Sequence, residues 1–185
     1  MNVKYPAIGV CGLSCRLCPR YASEGKSRCT GCKTESRMGA GCSFITCAIR
    51  RKGIEFCWDC QENETCDKWK MHRDAGKQMD SFKSYQTLED DIRFVTENGV
   101  EAFEKMQVAR EEMLREMLEQ FNEGRSKSMY CIAASVFGID ELREVLDQAT
   151  ASSAGLDTRG KALLLRSKLQ EMAKARNITL GLRKP

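Results

Sequence analysis

Ten of the eleven cysteines lie between Cys11 and Cys66, and that density limits what the first third of the chain can become. From Cys11 to about Asp67, Gly, Ser and Cys are frequent and large apolar residues are few, so this stretch cannot rely on a core of its own. Thiols must supply the missing bonds, either to each other or to a metal. The opening MNVKYPAIGV has no apolar run of signal-peptide length, and nothing approaches the roughly 18 apolar residues of a membrane helix. The expectation is a soluble cytoplasmic protein with no membrane partner. In such a reducing compartment, clustered thiols serve metal or redox chemistry and not a disulfide scaffold.

The spacings favour metal. Three Cys-x2-Cys pairs are present, Cys15/Cys18, Cys29/Cys32 and Cys57/Cys60. Two intervening residues form a turn that brings both sulfurs onto one ion, and two such pairs complete a tetrahedral shell. The simplest allotment puts Cys15, Cys18, Cys29 and Cys32 on one zinc ion, and Cys57, Cys60 and Cys66 with Cys47 on a second. Cys11 and Cys42 are left over, as replacement ligands, as a third site with shared thiolates, or as part of an iron–sulfur cluster. His72, the only histidine, lies just outside the cluster; it is a candidate ligand, although a lone histidine in that place is more often a surface residue. An iron–sulfur redox or sensor protein is the alternative, because cysteine-only ligation suits it equally well. Cys11, Cys15 and Cys18 also have the Cys-x3-Cys-x2-Cys spacing of radical enzymes that use S-adenosylmethionine. Those enzymes require a large α/β barrel, and no strand–helix alternation follows here.

Charge does not point to nucleic acid. Residues 1–72 carry 12 Lys and Arg against 7 Asp and Glu, while residues 73–185 carry 18 against 19. Ten thiolates with two zinc ions would bring the N-terminal part to about −1. Only Arg50-Arg51-Lys52 stays locally basic, and aromatic residues near the cysteines are limited to Tyr21, Phe44, Phe56 and Trp58. Nucleic-acid binding is therefore disfavoured. No phosphate-binding glycine loop is present, and no histidine besides His72 can serve a nucleophile. Cys11 and Cys42 are the only candidates for a reactive thiol.

Beyond Lys68 the pattern becomes helical. Ala7–Val10 suggests a short strand, and Phe44 to Lys52 one or two helical turns ending at Gly53. Thr87 followed by Glu89 and Asp90 reads as a helix start, with Leu88, Ile92 and Val95 at helical spacing and Asn98-Gly99 as the stop. From Val100 to about Asn122, Phe103, Met106, Arg110, Met113, Leu114, Met117, Leu118 and Phe121 fall on one stripe. Residues 129–137 are apolar nearly all round and read as a short buried helix in which Cys131 is a core residue. Asp140 is expected to cap a helix to about Ala149, and Asp157 or Thr158 to start a last one reaching about Arg176. Residues 151–155 read as a loop, and 178–180 as a strand or an extended tail.

The series CGLSCRLCP (11–19), CTGC (29–32), Cys42, Cys47-Ala-Ile-Arg, GIEFCWDC (53–60) and Cys66 resembles an uncharacterised cysteine-rich family over about residues 8–70. That family is a domain of unknown function, found mainly in bacteria and archaea and held to bind zinc. The resemblance implies that all ten cysteines belong to one unit, and it implies no substrate. Members often carry a proline directly before the last cysteine, where this chain has Thr65. The expectation is a mainly α protein. A small irregular zinc-knuckle region (residues 1–70) packs on a bundle of four to five helices (residues 71–185). Structural zinc would support a protein-interaction surface.

Overall fold

The computed structural model describes residues 3–26, 28–34 and 41–184. Among them six helices and no extended strand are found. The short strand expected over 7–10 is reduced to one bridge between Ile8 and Ser14, closed by Cys15 N–H donating to Ala7 O at 2.7 Å and Gly9 N–H to Leu13 O at 2.8 Å. Gly12, at φ +89°, turns the chain too sharply for the ladder to continue.

Helix α1, Ser43–Ile45, runs directly into a wider π turn over Thr46–Arg51, where Lys52 N–H reaches Cys47 O at 3.1 Å. Two single 3₁₀ turns follow, Cys57–Asp59 and Asn63–Thr65. Helix α2, Asp67–Gln78, starts directly after Cys66 with an acid in its first turn and a lysine in its last. The sequence reads as helical beyond Lys68 but offers no apolar stripe to bound this helix, which spans the boundary expected near residue 70. Helix α3, Leu88–Phe121, contains Gly99 at φ 83° and ψ 163°, a backbone state essentially reserved for glycine. The expected stop at Asn98-Gly99 is thus a break within one element, with helix resuming at once on the far side.

Helices α4 (Lys127–Val136), α5 (Ile139–Ala151) and α6 (Thr158–Ala175) complete the bundle. Residues Tyr130 to Ser135 of α4 are buried in an unbroken run, as expected for a segment apolar on every side. Asp140 lies in the first turn of α5 instead of capping it; Glu141 takes that role by accepting Gly138 N–H at 2.9 Å. Asp157 caps α6 by accepting Gly160 N–H at 2.7 Å. The segment after α6 is an extended tail. Ile178 and Leu180 lie against the core, and Asp80 N–H donates to Arg183 O at 2.9 Å.

The main core joins the second half of α3 (Leu114, Met117, Phe121) to α4, α5 and α6 through Tyr130, Phe137, Leu142, Leu146, Leu165 and Leu169, and Cys131 sits within it. Each large side chain removed from water there contributes about 1.5–3 kcal/mol. The first half of α3 faces the cysteine-rich segment. Leu13 and Trp69 pack on Leu88 and Ile92, while Ile8 and Phe56 pack on Val95 and Phe103. One helix therefore carries the bundle at one end and the cysteines at the other. No helix among the described residues is long and apolar enough to cross a membrane.

Candidate metal centre

Turns bring the thiols together. In the Cys15–Cys18 pair, Cys18 N–H bonds Cys15 O at 3.0 Å, and in the Cys57–Cys60 pair, Cys60 N–H bonds Cys57 O at 3.2 Å. The Cys29–Cys32 turn passes through Gly31 at φ +114°, where a Cβ would lie 3.1 Å from Pro6 O, so only glycine fits. Arg16, inside the first pair, anchors that turn to α3 by donating to Glu104 at 2.5 Å and Glu111 at 2.6 Å. Cys57 N–H donates to Val10 O at 3.0 Å, which ties the third pair to the approach to Cys11.

The ten cysteines line two separate cavities. Cys11, Cys15, Cys18, Cys29, Cys32 and Cys42 line the larger, of about 340 Å³, together with His72 and Lys83. Cys47, Cys57, Cys60 and Cys66 line the smaller, of about 70 Å³, with Lys52 and Trp69. The four thiols allotted from spacing to a first ion thus share a cavity with the two left over, and the four allotted to a second ion line the other, with Cys57 close enough to feel the charge of Cys11. Cys15 and Cys18 are buried, Cys42 is exposed, and the rest lie between. All are free thiols, and the thiols surround these cavities without converging. Among the described residues no three His, Cys, Asp or Glu side chains meet at metal-binding geometry.

The electrostatics favour negative sulfur at Cys15 and oppose it at Cys11, Cys32 and Cys57, where burial and neighbouring thiols raise the pKa. Cys15 accepts from the Cys32 thiol and from Cys32 N–H at 3.4 Å, which lowers its pKa to about 6 and raises that of Cys32. Lys83 and Lys33 add to that lowering. Both lysines are buried: Lys83 donates to Ser14 O at 2.6 Å, and Lys33 pairs with Glu55 at 3.0 Å over the ring of Phe56. Lys52 Nζ lies 3.3 Å from Cys60 Sγ and pairs with Glu62. Burial and the surrounding thiols Cys11, Cys47, Cys66 and Cys60 push Cys57 up to about 12. A thiol so placed holds its proton more tightly, and metal binding there would have to displace it. Nothing in the sequence marks Lys33 and Lys83 as buried, since a lone lysine among polar residues reads as surface.

His72 is not the exposed residue expected. It is half-buried on α2, its ring 4.9 Å from Phe44, 5.8 Å from Trp69 and 5.5 Å from Tyr85, and burial lowers its pKa.

Fold and site together define a mainly helical protein with a thiol-rich N-terminal unit. Residues 7–71 of it match the family described as Protein of unknown function (DUF3795). The matched stretch contains all ten clustered cysteines and ends inside α2, leaving the bundle outside it. No curated protein and no solved structure matches the chain.

Proposed function

We propose that the N-terminal unit is a metal-binding module in a reducing compartment, holding zinc as thiolates in two places. The observation that carries this reading is the division of ten free cysteines into a group of four and a group of six around separate cavities. The donor set fits: thiolates are soft ligands, and four of them satisfy a tetrahedral zinc ion. Cys47, Cys57, Cys60 and Cys66 would hold one ion. Cys15, Cys18, Cys29 and Cys32, with Cys11 and Cys42 beside them, would hold the other. Lys33, Lys83 and Lys52 offset the net negative charge that four thiolates leave on a divalent ion.

The metal's role is structural. The cysteine-rich segment has only a minor core of its own, Val10, Ile45, Ala48 and Ile49, so ligation supplies the cohesion its side chains lack. The module so held serves protein recognition, and the exposed Met71 and Phe82, just beyond it in the sequence, are suited to contact a partner. A second reading, an iron–sulfur redox or sensor protein, is favoured by one feature: the larger cavity offers more thiols than one zinc ion uses.

Elemental analysis and an optical spectrum of protein purified without oxygen separate the two. Two zinc per chain and no visible absorption are expected. Iron with sulfide and bands near about 400 nm would replace the zinc reading with the second. Protein that carries no metal and takes up none would overturn both.

A further inference from the structure

His72 presents an imidazole nitrogen with nothing to bond among the described residues. Its Nε2 is shielded from solvent and has no hydrogen-bond partner among them, although the ring lines the larger thiol cavity. Three aromatic rings, Phe44, Trp69 and Tyr85, surround the imidazole and restrict its orientation. A buried ring nitrogen without a partner is unfavourable, and beside six thiols the partner that suits both chemistries is a soft or borderline cation. His72 lines the same cavity as Cys11 and Cys42, while its aromatic neighbours Phe44, Trp69 and Tyr85 belong to a cluster against which Cys11, Cys57 and Cys66 all pack. Cys11 and Cys42 are the two thiols left over once Cys15, Cys18, Cys29 and Cys32 complete a shell of four.

We infer that His72 Nε2 is a metal ligand in the larger cavity, acting with Cys11 and Cys42, so that the cavity takes a thiophilic divalent cation in mixed nitrogen–sulfur coordination. The inference rests on the proposed thiolate reading of this cavity. These three donors are not at metal-binding geometry in the structure, so the cation must draw them together. Cys42 is the exposed member of the three. Placing His72 on a helix next to the last cysteine, Cys66, links the larger site to the element that flanks the smaller one.

The test is cobalt(II) titration of the metal-free full-length protein, read by its sulfur-to-cobalt charge-transfer and ligand-field bands. His72→Phe keeps an aromatic ring in the cage and removes the nitrogen. Part of the ligand-field spectrum is expected to shift to longer wavelength as nitrogen is lost, and one class of cobalt is expected to bind at least ~10-fold more weakly. Cys57→Ser in the smaller cavity should leave that class unchanged. If His72→Phe alters the fold, His72→Ala with added imidazole replaces it, and recovery of the wild-type bands by imidazole supports the assignment. Identical spectra and affinities for wild type and the folded His72 variant would overturn the inference while leaving thiolate binding intact. A wild-type protein that shows no sulfur-to-cobalt band would overturn the thiolate reading beneath it.

Discussion

Arg110 lies on the inward stripe of α3 between Met106 and Met113, and there the two N–H groups of its Nη1 are shared among three carbonyls at the end of α4. These are Ala134 at 2.6 Å, Ser135 at 3.0 Å and Phe137 at 2.7 Å. A helix end leaves carbonyls without partners, and this guanidinium supplies them from a neighbouring helix. Arg110→Met should keep the stem's packing and strip the cap, lowering stability by about 2–3 kcal/mol in denaturant unfolding. A loss below ~0.5 kcal/mol would mean that water or the rest of α4 satisfies those carbonyls. Nearby, burial pushes the Asp91 carboxyl from 3.8 up to about 6, against the Thr87 hydroxyl that donates to it at 3.0 Å and the charges of Lys83 and Arg110. A raised folded-state pKa means the folded protein holds this proton more tightly than the unfolded chain. Its contribution is therefore fully present below about pH 4 and is lost as pH rises through about 6. Asp91→Asn should accordingly be more stable than wild type at pH 7–8, on the order of 2 kcal/mol, with the gap closing towards pH 4. A gap independent of pH would place the cause elsewhere. Arg110 was visible in the sequence as a misfit in an apolar stripe, but the carbonyls that explain it come from 24 to 27 positions further along the chain, a distance no periodicity reaches.

At the scale of elements, the bundle is legible because burial and helical period coincide. Phe103, Leu114, Met117 and Phe121 follow at intervals of eleven, three and four, which whole helical turns span, Met113 lies beside Leu114, and all are buried. Helix α2 is not legible for the opposite reason. Only Trp69 and Gly76 of its twelve residues are buried, so it has no apolar stripe, and an internal glycine reads as a breaker. Gly76 is there for contact: a Cβ would lie 3.2 Å from Leu88 Cδ2 and 3.3 Å from Tyr85 Cδ2. The approach of α2 to the start of α3 depends on that missing methyl, and through it the position of His72. The cysteine cluster is legible in part. Spacing marks the pairs, but it cannot show that Cys11 and Cys42 share a cavity with Cys15 and Cys32, because the intervening loops decide that in three dimensions.

For the whole molecule, the two ends of α3 are held by different bonds. The bundle's core is drawn from α3 to α6 with little more than Leu17 and Ala22 from the cysteine-rich segment. Chelation should therefore unravel residues 11–66 while the helical signal of 100–175 persists. Circular dichroism with limited proteolysis checks this, and loss of the bundle along with the metal would mean that the two ends fold as one unit. The central claim is that ten cysteines build two separate metal sites, and the most direct measurement is metal content per chain in two double variants. Cys57→Ser with Cys60→Ser should remove one ion and leave the other, and Cys15→Ser with Cys18→Ser should do the reverse. If either pair of substitutions removes both ions, or neither pair changes the metal content, the cysteines do not form two independent sites.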